Sequence, residues 1–227
     1  MNTATPRIRA HRRITKVPRL CLAALLASMG LIFLASAPAA GSTVNVTNCN
    51  DSGTGSLRQT VASATSGETI GFALSPSCNV ITLTSGVIAI ATSLTISGPG
   101  ANTLAVSGNN ASTVILIDSG VTAAISGLTI EEGDGSSSNN GDGGGIFNYG
   151  TLNVTDSTFS GNIAYFGGGI FNDGTATVSD STLSNNNANS GGEGGGIFSQ
   201  GTLSVIDSTL SSNNANGLAS IFHAIPA

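Results

Sequence analysis

From Val80 onward the apolar residues come in short pulses of Val, Ile and Leu, set between Gly, Ser, Thr and Asn. Thr-Leu-x-Val at 151–154 and 202–205 alternates as a half-buried strand does, and Ser-Thr-Phe or Ser-Thr-Leu then adds one more inward apolar residue. GGGIFNYGTLNVTDSTFSGN (143–162), GGGIFNDGTATVSDSTLSNN (167–186) and GGGIFSQGTLSVIDSTLSSN (194–213) repeat one pattern three times. Gly143-Gly144-Gly145, Gly167-Gly168-Gly169 and Gly194-Gly195-Gly196 open the units, and Asn162, Asn186 and Asn213 close them. Asp156, Asp180 and Asp207 keep the same offsets. The three extra residues of the longer interval fall between Asn186 and Gly194, which marks a loop. Helical spacing is missing from every unit, and proline is absent from 101 to 225.

A period in the mid-twenties made of short strands fits a single-stranded parallel β-helix, one coil per repeat. Neighbouring coils would stack about 4.8 Å apart. Asparagines at equivalent turns would form ladders and apolar side chains would nest into columns. Glycine is needed where φ is positive or coils approach closely. A leucine-rich repeat needs a denser leucine frame, and a propeller blade about forty residues. Weaker pulses at SLTISG, TLAVSG and ISGLTI extend the pattern upstream, giving about six coils over residues 80–216.

Residues 41–79 read as a cap of strand, short helix and strand. Leu57, Val61 and Ala64 share one face of a helix ending at Gly67, placed to cover the open end of the first coil. The flanking Cys49 and Cys78 would staple that cap as a disulfide, the alternative being two unpaired buried thiols. DSGTGSLRQTVASATSGETIGF resembles the N-terminal cap of large bacterial surface proteins built on right-handed parallel β-helices. One branch of these carries a Cys-Ser-Leu-Arg-Glu-Ala signature; here Gly55 replaces its cysteine and Gln59-Thr60 its Glu-Ala. The GGGIF units and FSGN at 159–162 are similar to the repeats of polymorphic outer-membrane proteins, with Leu183 and Leu210 in place of phenylalanine in two units. The resemblance implies a right-handed β-helix and an adhesin or autotransporter-passenger role.

Composition changes the picture at the N-terminus. Six basic residues precede an apolar run at 20–34 and an Ala-x-Ala site at Ala37–Ala39, the order of a secretory signal peptide over residues 1–40; an uncleaved anchor is the alternative. Beyond residue 40 only Arg58 stands against twelve carboxylates, a net charge of −11 with histidine neutral. Such a surface cannot neutralise phosphates, which excludes nucleic acid as a partner.

Candidate chemistry is sparse. Polyuronide lyases of this fold need a strong base near calcium-binding carboxylates, and Arg58 lies in the cap. His223 stands alone in the terminal IFHAIPA, so serine and threonine lack a partner base. The column Asp156, Asp180, Asp207 is either a set of solvent-facing turn residues that hydrogen-bond their own backbone or a calcium site. No other cofactor is expected. Glu131, Glu132, Asp134 and Asp142 form a second acidic group in a segment that reads as a loop. The threonine column Thr151, Thr175, Thr202 is too short and too interrupted for an ice-binding face.

The expectation is a secreted or surface-exposed scaffold, extracellular or on a bacterial outer membrane, whose partner is a glycan or protein on a host or environmental surface. The rival is a pectate lyase-like enzyme of the same fold. Residues 217–227 read as an irregular, truncated tail: the pattern asks for another glycine triplet where the chain gives GLASIFHAIPA. Membrane contact would then run through the signal peptide or a missing C-terminal anchor, and the open last coil would invite self-association.

Overall fold

Alternating β-branched residues and small turn residues fold here into short strands, mostly of three to five residues, that pair with their equivalents in neighbouring coils. The structure, a computed structural model, describes residues 41–137, 141–215 and 221–223. The signal-peptide reading of 1–40 and most of the tail at 217–227 lie outside them. Each coil runs through three faces. The first comprises Ile88–Ile90, Ile115–Ile117, Ile146–Asn148, Ile170–Asn172, Ile197–Ser199 and Ile221–His223. The second comprises Thr43–Val46, Thr69–Phe72, Leu94–Ser97, Thr122–Ser126, Thr151–Thr155, Thr175–Ser179 and Thr202–Ile206. The third comprises Val80–Thr82, Ala105–Ser107, Thr129–Glu131, Thr158–Ser160, Thr182–Ser184 and Thr209–Ser211. On these three faces the pairings are parallel and in register across the repeats: Ile146 faces Ile170, which faces Ile197, and Val154 faces Val178, which faces Val205. The expected parallel β-helix of about six coils is the architecture observed.

Inward columns of Ile, Val, Leu and Phe159 fill the solenoid as one continuous core. The corners cannot be filled that way, because each bend turns backbone amides inward. Side-chain ladders satisfy them. Asn162 donates from Nδ2 to Asn186 Oδ1 at 2.9 Å, and Asn186 does the same to Asn213. The backbone N–H groups of Asn162 and Asn186 donate to the same acceptors. Asn148, Asn172 and Ser199 form a second ladder between the first and second faces. Ser157, Ser181 and Ser208 form a third: each hydroxyl donates to the carbonyl two residues back, and the two later ones also accept the amide of the serine one coil earlier.

The glycine triplets divide their work. The first glycine, at 143, 167 and 194, sits at φ of 64 to 66°, where a Cβ is costly. The second has no room: a Cβ on Gly144 or Gly168 would collide with the backbone of the next coil. These turns bring Ile163–Phe166, Asn187–Glu193 and Asn214–Ala215 together as a three-stranded ribbon beside the first face. The three extra residues expected as a loop belong instead to its middle strand. Ala164 pairs with Ala188 but Phe166 with Glu193, so the insertion is absorbed as a bulge opposite Tyr165.

Phe147, Phe171, Phe198 and Phe222 stack up the first face with ring centroids 4.6 to 5.4 Å apart. They alternate with the core-facing Ile and Asn columns, so they point outward, yet the first three are buried. Phe166 of the ribbon packs against Phe198, and together they make a second, separate apolar cluster. Burying each such ring contributes roughly 1.5–3 kcal/mol.

At the other end the helix Leu57–Ser63 is capped by Ser56, whose hydroxyl accepts from the Gln59 amide. Leu57 and Val61 are buried in the main core. The helix stops at Ser63 rather than Gly67, because the Ala64 N–H already folds back to the Val61 carbonyl. The two strands of the expected cap, Thr43–Val46 and Thr69–Phe72, are the first members of the second face. A disulfide joins Cys49 to Cys78, their Cα atoms 5.7 Å apart across 29 residues.

Asn186→Ala removes the acceptor for two donors of Asn162 and the donor to the Phe159 carbonyl. With buried groups left unpaired, it is expected to cost on the order of 3 kcal/mol. Thr177→Ala on the outer surface should change stability by less than about 0.5 kcal/mol. Urea midpoints of the two variants check the contrast.

Candidate functional site

The turn from the second face to the third needs one residue in the left-handed region. Asp156, Asp180 and Asp207 supply it at φ of 50, 49 and 46°, and Gly127 supplies it one coil earlier at 63°. Asp tolerates this region better than most side chains. The hydrogen bonds of the turn are made by the following serine, whose hydroxyl bridges to the backbone as described above. The three carboxylates project outward and are exposed. The expectation that each Asp binds its own backbone is therefore corrected: the Asp sets the bend and the Ser secures it.

Where the column reaches Gly127 it has no side chain, and the neighbouring coil leans in. Gly98 and Gly100 donate to the carbonyls of Ser126 and Gly127 at 2.8 and 2.9 Å, and the Thr129 hydroxyl donates to Ala101 O at 2.8 Å. A Cβ at 127 would lie 2.7 Å from Gly98 O, so glycine is required by this approach. The segment Gly98–Asn102 thus forms a wall beside the column. Wall and column enclose a shallow groove of about 590 Å³, lined by Asn102, Ser126, Asp156, Thr158, Asp180 and Thr182 among others. Asp156 and Asp180 come together here, and Asp207 lies outside the lining. Two stacked carboxylates offer fewer oxygens than the six to eight that calcium takes. Among the described residues no three His, Cys, Asp or Glu side chains converge as a metal set.

Arg58 is committed elsewhere. Its guanidinium pairs with Asp51 at 2.7 Å and donates to the carbonyls of Gly86 and Val87, tying the cap helix to the first coil. Burial works against the Asp51 charge, but hydrogen bonds from Ser85, Arg58 and Thr84 and the guanidinium's charge outweigh it and hold that carboxyl below its usual range. The second acidic group does not assemble into one site. The Ser107 hydroxyl donates to Glu132 Oε2 at 2.8 Å, and the Ser136 amide donates to Asp134 Oδ1 at 2.8 Å. Burial and the neighbouring Glu132 charge push Glu131 upward. The ends of the expected loop are tied to the ribbon by bridges from Asp134 to Ile163 and from Asp142 to Phe166. Asp142 has one buried oxygen without a hydrogen-bond partner, and its burial, partly offset by the Phe166 backbone, raises it to about 6. His223 ends the strand that pairs with Ile197–Ser199.

Around and through the groove the surface is a regular polar lattice. Thr151, Thr175 and Thr202 stack with Thr122 on the second face, and Thr129, Thr158, Thr182 and Thr209 stack on the third. Sequence reading missed the wall at 98–102, although the Pro99-Gly100 turn was its signal. It also missed the half-exposed Tyr149 and Tyr165 beside the phenylalanine stack. In-register columns, laddered corners and an open polar groove define the class of this chain as a parallel β-solenoid. Comparison with family models, curated proteins and solved structures finds no match.

Two measurements follow from these charges. Because folding raises the Asp142 carboxyl, its ionisation weakens the fold above about pH 6, and the penalty disappears as pH falls toward the unfolded value. Asp142→Asn should therefore raise the melting temperature at pH 7.5 and give no advantage at pH 4.5. Asp51 has the opposite sign: its stabilisation is present at neutral pH and is lost as pH falls below about 4. Arg58→Met should lower stability by roughly 2 kcal/mol at pH 7 and by clearly less at pH 3, read from urea midpoints at both values.

Proposed function

We propose that this chain is a secreted or surface-exposed binding scaffold of the adhesin or autotransporter-passenger kind, acting outside the cell or on a bacterial outer membrane. The observation that carries the reading is the outer surface. Column after column presents Thr, Ser, Asn and exposed carboxylates in register, beside a shallow groove lined by hydroxyls and two carboxylates with no cation among them. A polyuronide lyase of this fold would need a strong base near its carboxylates. The arginine that could serve is consumed in a structural ion pair. A solenoid with a repeating polar face suits recognition of a glycan or protein on a host or environmental surface. The leader-like residues 1–40, the acidic mature chain and the resemblance of its repeats to polymorphic outer-membrane proteins support export.

The reading is tested by incubating the purified chain with polyuronides and neutral polysaccharides, with and without calcium, while following both bound protein and released sugar. The expected result is binding without unsaturated or reducing products. Steady release of either product, lost in Asp156→Asn, would establish the enzymatic alternative.

A further inference from the structure

We propose that the groove beside Asp156 and Asp180 seats the end of an uncharged glycan chain. This rests on the binding-scaffold reading and assigns its site and ligand class.

The groove follows the solenoid axis, because its floor is one turn position repeated in successive coils: Asp180, Asp156, then Gly127. At Gly127 the side chain is missing and the wall Gly98–Asn102 closes over the column. The groove is therefore open toward Asp180 and stopped at the wall, a shape that admits a chain terminus and not the middle of a polymer. The stop is preformed: three hydrogen bonds tie it to the adjacent coil, Gly98 to Ser126, Gly100 to Gly127 and the Thr129 hydroxyl to Ala101, and the Thr103 amide closes its own turn on the Gly100 carbonyl.

The lining selects the ligand class. Thr158, Thr182 and Ser126 hydroxyls, the Asn102 amide and two carboxylates offer acceptors and donors in the mixture that sugar hydroxyls satisfy. Carboxylates repeat every ~4.8 Å along the axis, close to the length of one pyranose unit, so successive sugars would meet successive coils in the same way. Three turn positions span about 10 Å on that spacing, room for about two sugar rings. Anionic glycans are disfavoured: no cation lines the groove, and Arg58 is paired with Asp51. A peptide is disfavoured on other grounds. Extended peptides bind by pairing with a strand edge and filling apolar side-chain pockets, and this groove crosses a turn and has a mostly polar lining.

The test uses the full mature chain, titrated calorimetrically with neutral β-1,4-linked oligosaccharides of two to six sugars, matched uronides, and a lysine-rich peptide. Neutral sugars are expected to bind, with affinity rising to about two or three units and then levelling, since the rest of an end-bound chain leaves the groove. Asp156→Asn with Asp180→Asn should weaken binding at least tenfold; asparagine already occupies the same backbone region at Asn109 and Asn185, so the fold is kept. Thr182→Arg, which fills the groove, should abolish binding. Thr209→Arg, one coil beyond in the same column, should leave it unchanged. Affinity that keeps rising with chain length, tighter binding of uronides or of the basic peptide, or indifference to both groove variants would overturn the assignment. A ligand captured equally by the wild type and Thr182→Arg would sink the groove as the site and leave the scaffold reading standing. Absence of binding to any surface or polymer would remove both.

Discussion

Along the repeats of this solenoid each strand residue has its equivalents as neighbours, about 4.8 Å above and below. That constraint decides which residues each position can hold. An inward position must accept a copy of itself, which Ile, Val and Leu do by nesting. A corner position must satisfy inward-turned amides without outside help, and a short amide or hydroxyl that both donates and accepts can do so in series. Asn162, Asn186 and Asn213 form one such series, and Ser157, Ser181 and Ser208 another. An acidic residue stacked this way repels its copies by roughly 1 kcal/mol per pair in water and more at lower effective dielectric. The aspartates of the column accordingly sit on the outside, exposed, at a backbone conformation that turns their side chains away from the core.

The same constraint explains how the coil accommodates irregularity. A three-residue insertion inside a core strand would shift every inward residue to the outer face. Here it lies in the outer ribbon, where Tyr165 opposes the bulge and the core register is untouched. The ribbon in turn gives the outward phenylalanines a cover. The fold therefore carries two apolar clusters of different origin: a tube sealed by corner ladders, and an aromatic stack sealed by an added strand. The groove arises by a third route, from the absence of a side chain at Gly127 and the approach of the coil before it.

Much of the tube was legible in the sequence because stacking writes its demands at a fixed period. The glycine triplets, Asn162, Asn186, Asn213 and the Asp column announced the coil and its corners. Alternation around Leu152 and Val154 gave their inward direction. The phenylalanines of the GGGIF segments were given no direction, and nothing in the pattern says what lies outside a coil, so the buried stack was not foreseen. The groove was harder still. Its wall belongs to a coil without the triplet, and its shape depends on a contact between Gly98 and Gly127 that no spacing encodes. The serine's role was hidden for a related reason: Asp and Ser are both common turn residues, and only the register shows which one meets the next coil's amide.

Hydrogen exchange of the corner amides tests the central claim most directly. Those of Ser157, Ser181, Asn162 and Asn186 lie in turns, where amides normally exchange fast, yet each donates to a side chain one coil away. If in-register ladders hold the solenoid together, these four amides should be protected as strongly as those of the adjoining strands Thr151–Thr155 and Thr175–Ser179. Exchange at the rate of open turns, with the strand amides still protected, would show that the ladders are incidental and that apolar stacking alone maintains the coil.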